Sequence, residues 1–425
     1  MKHKILIRGP VFSVSGYGEQ ARLAIRSLRN REDLDLYVIP INWGKTGWMS
    51  SITEERDWID SLVLKTANHI NAGGSFDMSL QITIPNEWEK MAPINVGYTA
   101  GIETTIVAPE WIEKSRIMDK IIVVSEHSKN VFLNTVYTMT HKQTGETHDI
   151  RCETPIDVVG FATRLVEPDP DYTLDLDYDF NFLVVSQWGP RKNMRNTLKW
   201  FLEECYDQEV GLVLKIQMAN NSIPDRYRVA DTVSGIVKEF DRENPDTDRK
   251  CKVYILHGDL SENQMHALYN DPKIMALISL SHGEGFGLPI FEAAYNGLPV
   301  IAPGWSGHLD FLYASVQSGK KTKIKKLFES VDYNLQPIQK DAVWDGVLQK
   351  DSMWCYPTEG SYKMKLRRMK SKYAGIKKNA LVLRDQILDN FSEEIIHKKF
   401  SDSVCSALDS VEPEKSYGLE SVTVL

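Results

Sequence analysis

The 425-residue chain carries 50 Lys and Arg against 58 Asp and Glu, with 42% hydrophobic and 25% charged residues. That is the balance of a globular protein with more chain than one ordinary core accommodates. No apolar run reaches the roughly 18–20 residues of a membrane-spanning helix, and the start, MKHKILIRG, lacks the apolar core of a signal peptide. Five scattered cysteines, Cys152, Cys205, Cys251, Cys355 and Cys405, form no C-x-x-C pair. They read as reduced thiols of a cytoplasmic protein (in a host's cytoplasm if the chain is viral), not as a disulfide scaffold or zinc site.

In chain order, ILI (5–7), LYVIPI (36–41), LQITI (80–84), INVGYT (94–99) and IIVVS (121–125) read as buried strands. Between them lie helical stretches such as Glu19–Leu28, where Ala21, Ala24, Ile25 and Leu28 recur at helical spacing. This alternation predicts a parallel sheet covered by helices. Residues 163–179, TRLVEPDPDYTLDLDYD, have no period and read as a linker, whose D-x-D triplets are solvated rather than metal-binding. Alternation restarts with FNFLVVS (180–186), a helix from about Asn193, GLVLKIQ (211–217), a helix near 225–240, KVYILH (252–257), a helix near 261–270, MALISL (275–280) and LPVIA (298–302). From Ser361 onward the chain reads as helical. The expectation is α/β: an N-terminal Rossmann-like domain over 1–165, joined by a C-terminal helix about 393–425, and a second one over 176–390. Two such domains facing each other place ligand crevices at the carboxyl ends of their strands.

The densest chemistry lies at one strand end, in SHGEGFGLPIFEAAYNG (281–297). The turn lets the amides of Phe286, Gly287 and Leu288 point at one spot ahead of a helix, with Pro289 at its first position, which makes an anion site. Glu292, one turn into the helix, is placed to accept from two vicinal hydroxyls, and Glu284, before the turn, from a sugar hydroxyl. A pair of carboxylates around a phosphate nest suits a nucleotide-sugar.

Glu284-x7-Glu292 within EGFGLPIFE, followed by A-A-x-x-G-L-P-V-I-A, resembles the signature of retaining glycosyltransferases of family four, which have the GT-B fold of two facing Rossmann-like domains. The resemblance implies that Glu292 binds the nucleotide ribose, that Glu284 lies beside the donor sugar, and that Gly285, Phe286, Gly287 and Leu288 face the donor. SQWGPRKNMRNTL (186–198) resembles the family segment that carries a pyrophosphate-binding Arg and Lys: Lys192 falls on the Lys, Gln187 stands at the usual Arg position, and Arg191 supplies the second charge. HGDLSENQMHALY (257–269) resembles the segment near the base, with His257 and Gly258 contacting it through the backbone. GWSGHLDF (304–311), with Ser306 and Gly307, resembles the loop near the phosphates. VFSVSGYGEQAR (11–22) resembles the family's glycine loop, in which Gly16, Tyr17 and Gly18 meet the donor. Alone, Gly16-x-Gly18-x-x-Ala21 also fits a dinucleotide fingerprint, although it stands about eight residues past its strand. In 97–132 the resemblance extends to Glu103, Pro109, Trp111 and Ser125. Ala100 stands where many relatives have a histidine near the acceptor, which leaves Glu103 as the nearest polar group, either for acceptor binding or as a helix cap.

The resemblance implies a metal-independent transfer with no cofactor beyond the nucleotide-sugar substrate. The acceptor is a glycan, a lipid-linked sugar or, as in phage enzymes, a hydroxymethylated DNA base such as 5-hydroxymethylcytosine; a non-catalytic nucleotide-sugar-binding protein is the remaining reading. The strips Gly360–Arg384, with nine Lys/Arg and no acid, and Ser318–Phe328, with five Lys and no acid, are either solvated faces or a nucleic-acid or membrane surface. The segment 311–360 is expected to be an insertion of helix pairs and a tryptophan-bearing hairpin, its tryptophans in the core rather than under an acceptor. His141 and His148 are expected at the surface. No histidine spacing marks a metal site, and Gly304–His308 lacks the spacing of a hydrolase elbow.

Overall fold

A computed structural model describes residues 2–140, 146–246, 248–318 and 321–409. The apolar runs form two parallel six-stranded sheets. The first contains β1 (His3–Gly9), β2 (Leu34–Pro40), β3 (Met78–Ile82), β4 (Ile94–Thr99), β5 (Lys120–Val123) and β6 (Ile156–Val158), in the order β6-β5-β4-β3-β1-β2. Its central strands β3 and β4 are buried on both faces, as continuous rather than alternating apolar runs require. Helices α1 (Gly16–Leu28), α2 (Glu54–Asn71), α3 (Pro109–Ser115) and α4 (Glu126–Asn134) cover it. Ser15, Thr53 and Ser125 cap α1, α2 and α4 by accepting from amides three residues on.

The second sheet contains β7 (Asn181–Gln187), β8 (Gly211–Gln217), β9 (Lys252–Leu256), β10 (Ile274–Ile278), β11 (Val300–Pro303) and β12 (Glu329–Val331), in the order β9-β8-β7-β10-β11-β12. Its helices are α5 (Met194–Cys205), α6 (Ile223–Glu243), α7 (Glu262–Asn270), α8 (Leu288–Tyr295) and the single turn α9 (Leu309–Leu312). Residues 163–179 run between the sheets without helix or strand. They are not wholly solvated: Leu176 is buried and Tyr172 and Leu174 pack on the core. Among the described residues no group of three or more His, Cys, Asp or Glu is placed to hold a metal ion.

The chain ends in α10 (Glu359–Ser371), α11 (Tyr373–Asn390) and α12 (Glu393–Asp409). Helix α12 returns to the first sheet, where Phe400 packs on Tyr98 with ring centroids 4.9 Å apart and Ser403 donates to Asp157 at 2.6 Å. The rest of the expected helix, past Asp409, lies outside the described residues, as do His141 and Lys320; His148 is exposed.

The segment 311–360 departs from expectation. In place of helix pairs it holds two antiparallel hairpins, Tyr313–Ser318 with Lys321–Lys326 and Tyr333–Pro337 with Met353–Pro357. Alternating sequences such as KTKIKK carry the period of two that belongs to strands. The second hairpin bears a tryptophan as expected, and Trp354 is fully buried. Its connection crosses to the first sheet: Thr105 N–H donates to the Met353 carbonyl at 3.0 Å, and Val347 is buried with Trp88 and Trp111.

Gly97 in β4 shows how tightly the first sheet is packed. A Cβ there would lie 2.5 Å from the ring of Trp88, itself fully buried. Gly97→Ala is expected to lower stability by about 1–3 kcal/mol, read as a lower urea midpoint at unchanged slope.

Candidate functional site

The carboxyl ends of both sheets open on one cavity of about 870 Å³. Strand β10 stops at Ile278, and the turn that follows carries Glu284 to its wall, 6% exposed. After β7, the short turn Pro190–Lys192 presents Arg191 and Lys192 to the same point. Lys192 Nζ lies 2.5 Å from Glu284 Oε1, and Arg191 Nη1 lies 3.1 Å from Oε2. Arg191 also donates to the Gly283 carbonyl at 2.6 Å, and its Nη2 reaches Glu103 Oε1 at 3.2 Å. Burial pushes the Glu284 pKa up, but Lys192 and Arg191 outweigh it and hold the group down at about 2. Burial, together with the neighbouring Arg191, lowers that of Lys192 against the pull of Glu284. Two carboxylates and two cations thus form a neutral quartet drawn from both halves of the molecule.

Glycine makes the turn possible through close approach. A Cβ on Gly283 would lie 2.3 Å from the Glu103 carbonyl oxygen, and one on Gly285 2.6 Å from that of Ala100. Gly287 has φ +94° and serves as the cap of α8, whose first position is Leu288; Pro289 takes the second, one later than expected. Gly285, Phe286, Gly287 and Leu288 all line the cavity. The Phe286 ring, however, is core, packed on Phe161, Phe291 and Phe311, so only its backbone is offered to a ligand.

Glu292 lies on the same wall, where it accepts from the Tyr269 hydroxyl at 2.8 Å. Burial raises its pKa to about 7, relieved by Tyr269 and reinforced by Glu19 and Glu262. Those acids belong to an ion cluster across the seam: Arg164 meets Glu262 at 2.5 Å and Glu19 at 3.6 Å, and Arg26 meets Glu19 at 2.6 Å. Tyr269, Arg164, Arg26 and Glu19 escaped sequence reasoning. Tyr269 closes a stretch already singled out, but nothing local marks it as the partner of Glu292.

The other expected residues divide. Gly16, Tyr17 and Gln187 line the cavity. Tyr17 also braces the end of β4: its hydroxyl lies 2.8 Å from Thr99 Oγ1 and accepts from the Ala100 amide at 3.2 Å. Gln187 donates to the Met218 carbonyl and stays clear of Glu284, leaving Arg191 as the second cation. Gly18 is a packing glycine; a Cβ there would strike the Ser13 carbonyl at 1.9 Å. Gly258, Ser306 and Gly307 are not among the lining residues. Gly258 accepts from Lys215 at 2.6 Å, and His257 is tied to Asp225 at 3.1 Å. Ser306, at φ +82°, accepts from the Glu284 amide at 2.9 Å, and Gly307 donates to the Glu284 carbonyl at 2.9 Å. These two hold Glu284 in place from behind, which is why they face away from the cavity. Glu103 caps no helix: α3 starts at Pro109 behind Ala108, and the Glu103 carboxylate is spent on Arg191.

No family model matches the chain. An alignment of 139 positions, which covers 31% of the chain, is 30% identical to the probable sucrose-phosphate synthase 5 of Oryza sativa subsp. japonica, of whose length the chain spans 13%. Among solved structures, sucrose-phosphate synthase (tll1590) of Thermosynechococcus elongatus is similar at TM-score 0.60 and 12% identity, over 96% of this chain and 100% of that one. A glycosyltransferase of Rickettsia africae ESF-5 is similar at 0.57 and 13%, over 96% and 100%. Anabaena Alr3699/HepE in complex with UDP and glucose is similar at 0.52 and 15%, over 95% and 100%. The chain has the GT-B fold that its motifs implied.

Glu292 gives the site a pH signature. Its carboxyl holds a proton more tightly in the folded chain, near 7, than at its ordinary 4.5. The unfolded chain therefore binds fewer protons between those values, and stability falls as pH rises through that window. Glu292→Gln removes the buried charge. It is expected to match wild type near pH 4 and to exceed it by on the order of 2–3 kcal/mol above pH 7, measured as paired thermal midpoints across pH.

Proposed function

We propose that the chain is a retaining glycosyltransferase that moves a sugar from a nucleotide-sugar to a hydroxyl acceptor. The observation that carries this is the pair Arg191 and Lys192 converging on Glu284 at the strand ends, in one cavity with Glu292. A donor diphosphate entering there takes over the two cations. They then offset the charge that builds on it as it departs, the electrostatic task that a divalent metal performs elsewhere. Glu284, released, accepts from a hydroxyl of the donor sugar, and Glu292 from the ribose. The bond between the sugar's anomeric carbon and the phosphate oxygen breaks. The acceptor oxygen bonds to that carbon from the same face, and its proton passes to the departing phosphate. Enclosure between the two sheets keeps water from taking the acceptor's place. UDP and UDP-glucose, the ligands of the HepE complexes, are the first donors to test.

The acceptor reading favours a glycan or lipid-linked sugar over a DNA base. Five of the nine cations in the strip 360–384 meet the protein's own acids: Lys363 meets Glu203 and Glu359, Arg367 meets Glu204, Lys365 and Arg368 both meet Glu329, and Arg384 meets Asp385. Cations so engaged release few counterions on meeting a polyanion. The five unpaired thiols suit a cytoplasmic setting.

Calorimetry and product NMR test the reading. Lys192→Ala is expected to weaken UDP about tenfold. Glu284→Gln frees the cations, so it is expected to bind UDP at least as tightly as wild type while transfer falls about 100-fold. A product of inverted anomeric configuration, or unchanged UDP affinity in Lys192→Ala, contradicts the proposal. A panel of UDP-, GDP-, ADP- and dTDP-sugars, run with and without DNA bearing 5-hydroxymethylcytosine, separates the acceptors: release of nucleoside diphosphate stimulated by that DNA returns the case to a DNA base.

A further inference from the structure

The connection between the paired strands Tyr333–Pro337 and Met353–Pro357 reaches the first sheet and lends Trp344, Val347 and Leu348 to the wall of the cavity. Its turn is fixed from several directions. Asn86 donates to the Gly346 carbonyl at 2.8 Å and accepts from the Trp111 indole at 2.6 Å. Gly346 has φ +74°, and the Trp344 and Leu348 backbones bond each other in both directions, at 3.1 and 2.7 Å. Val347 is buried in the first sheet's core. The one large side chain of the turn left out of this packing is Trp344. At 58% exposure it is the most exposed of the ten tryptophans, and among the described residues its indole meets no other ring in a stacked or edge contact. It lines the same cavity as Glu103, Arg191 and Glu284.

We propose that Trp344 is the platform on which the acceptor binds, and that the acceptor unit it takes is a neutral sugar ring. The inference rests on the transferase reading and names its acceptor class. A pyranose has an apolar C–H face and a rim of hydroxyls. The indole offers a flat apolar surface held on a rigid backbone, so little ordering remains to oppose binding. Glu103, on the same wall and itself a member of the quartet where the donor phosphates arrive, holds Arg191 through Oε1 and offers Oε2 to the rim. A nucleic-acid base also stacks on indole. Here, however, an acid lies against the turn: Glu110, whose Oε2 lies 2.9 Å from where a Gly346 Cβ would be. That surrounding repels a phosphodiester chain and admits an uncharged sugar.

The test uses the full chain with methyl α-glucoside, maltose and an oligonucleotide bearing 5-hydroxymethylcytosine as probes. Saturation-transfer NMR is recorded for each in the presence of UDP, or of GDP, ADP or dTDP where UDP does not bind. Wild type is expected to show transfer to the C–H face of the saccharides. Trp344→Ala is expected to weaken saccharide affinity about tenfold, Trp344→Phe to restore most of it, and the nucleotide signals to be the same in all three. Saccharide signals that are absent from wild type, unchanged in Trp344→Ala or lost equally in Trp344→Phe overturn the platform. So does displacement of the saccharide by the oligonucleotide. Absence of any nucleoside diphosphate signal in wild type is a different failure, that of the transferase reading itself.

Discussion

The charge balance around Glu284 is the constraint on which the site depends. A carboxylate this buried is stable in ionised form only when paired, and a guanidinium and an ammonium side by side repel each other unless an anion lies between them. Each member of the quartet therefore requires the others. Glu103 and Arg191 come from opposite halves of the molecule, so the pairing also holds the cleft together. Glu284 is the anion that lies between the two cations.

The backbone around the quartet serves the same end. Gly283 and Gly285 let the turn touch the Glu103 and Ala100 carbonyls of the facing half, and Ser306 accepts strained geometry to receive the Glu284 amide. Strain of this kind persists where the surroundings over-determine it, and it is common where a group must be held ready for a ligand. Glu292 tells a related story. It is buried near the acids Glu19 and Glu262, a poor place for a negative charge.

Most sheet strands were legible because a buried parallel strand is a local apolar run, and GLVLKIQ and INVGYT matched their elements residue for residue. The glycine turn and its two glutamates were legible because their spacing is short. What lay beyond reach is set by long-range contact. Glu284 meets Lys192 across 92 residues, Glu292 meets Tyr269 across 23, and Arg164 joins two helices from within a stretch that reads as plain linker. The strands Ile156–Val158 and Glu329–Val331 are three residues each, too short for any period. In 313–357 the tryptophan-bearing hairpin was legible, whereas helix pairs were expected where the strands Tyr313–Ser318 and Lys321–Lys326 stand, because a strip of lysines masks their period of two. The positive φ of Ser306 has no signal in a residue type that rarely adopts it.

The crossing segment changes how the two halves can move. Two bodies joined by a linker and a returning helix have a hinge, and a hinge leaves the far lip of the cleft free to swing. Here the far lip is laced as well, by Asn86 with Gly346, by Thr105 with Met353 and by Val347 set into the opposite core. Whole-body opening then requires unlacing that lip, and without it ligand traffic runs through the remaining mouth, with local rearrangement in place of a swing.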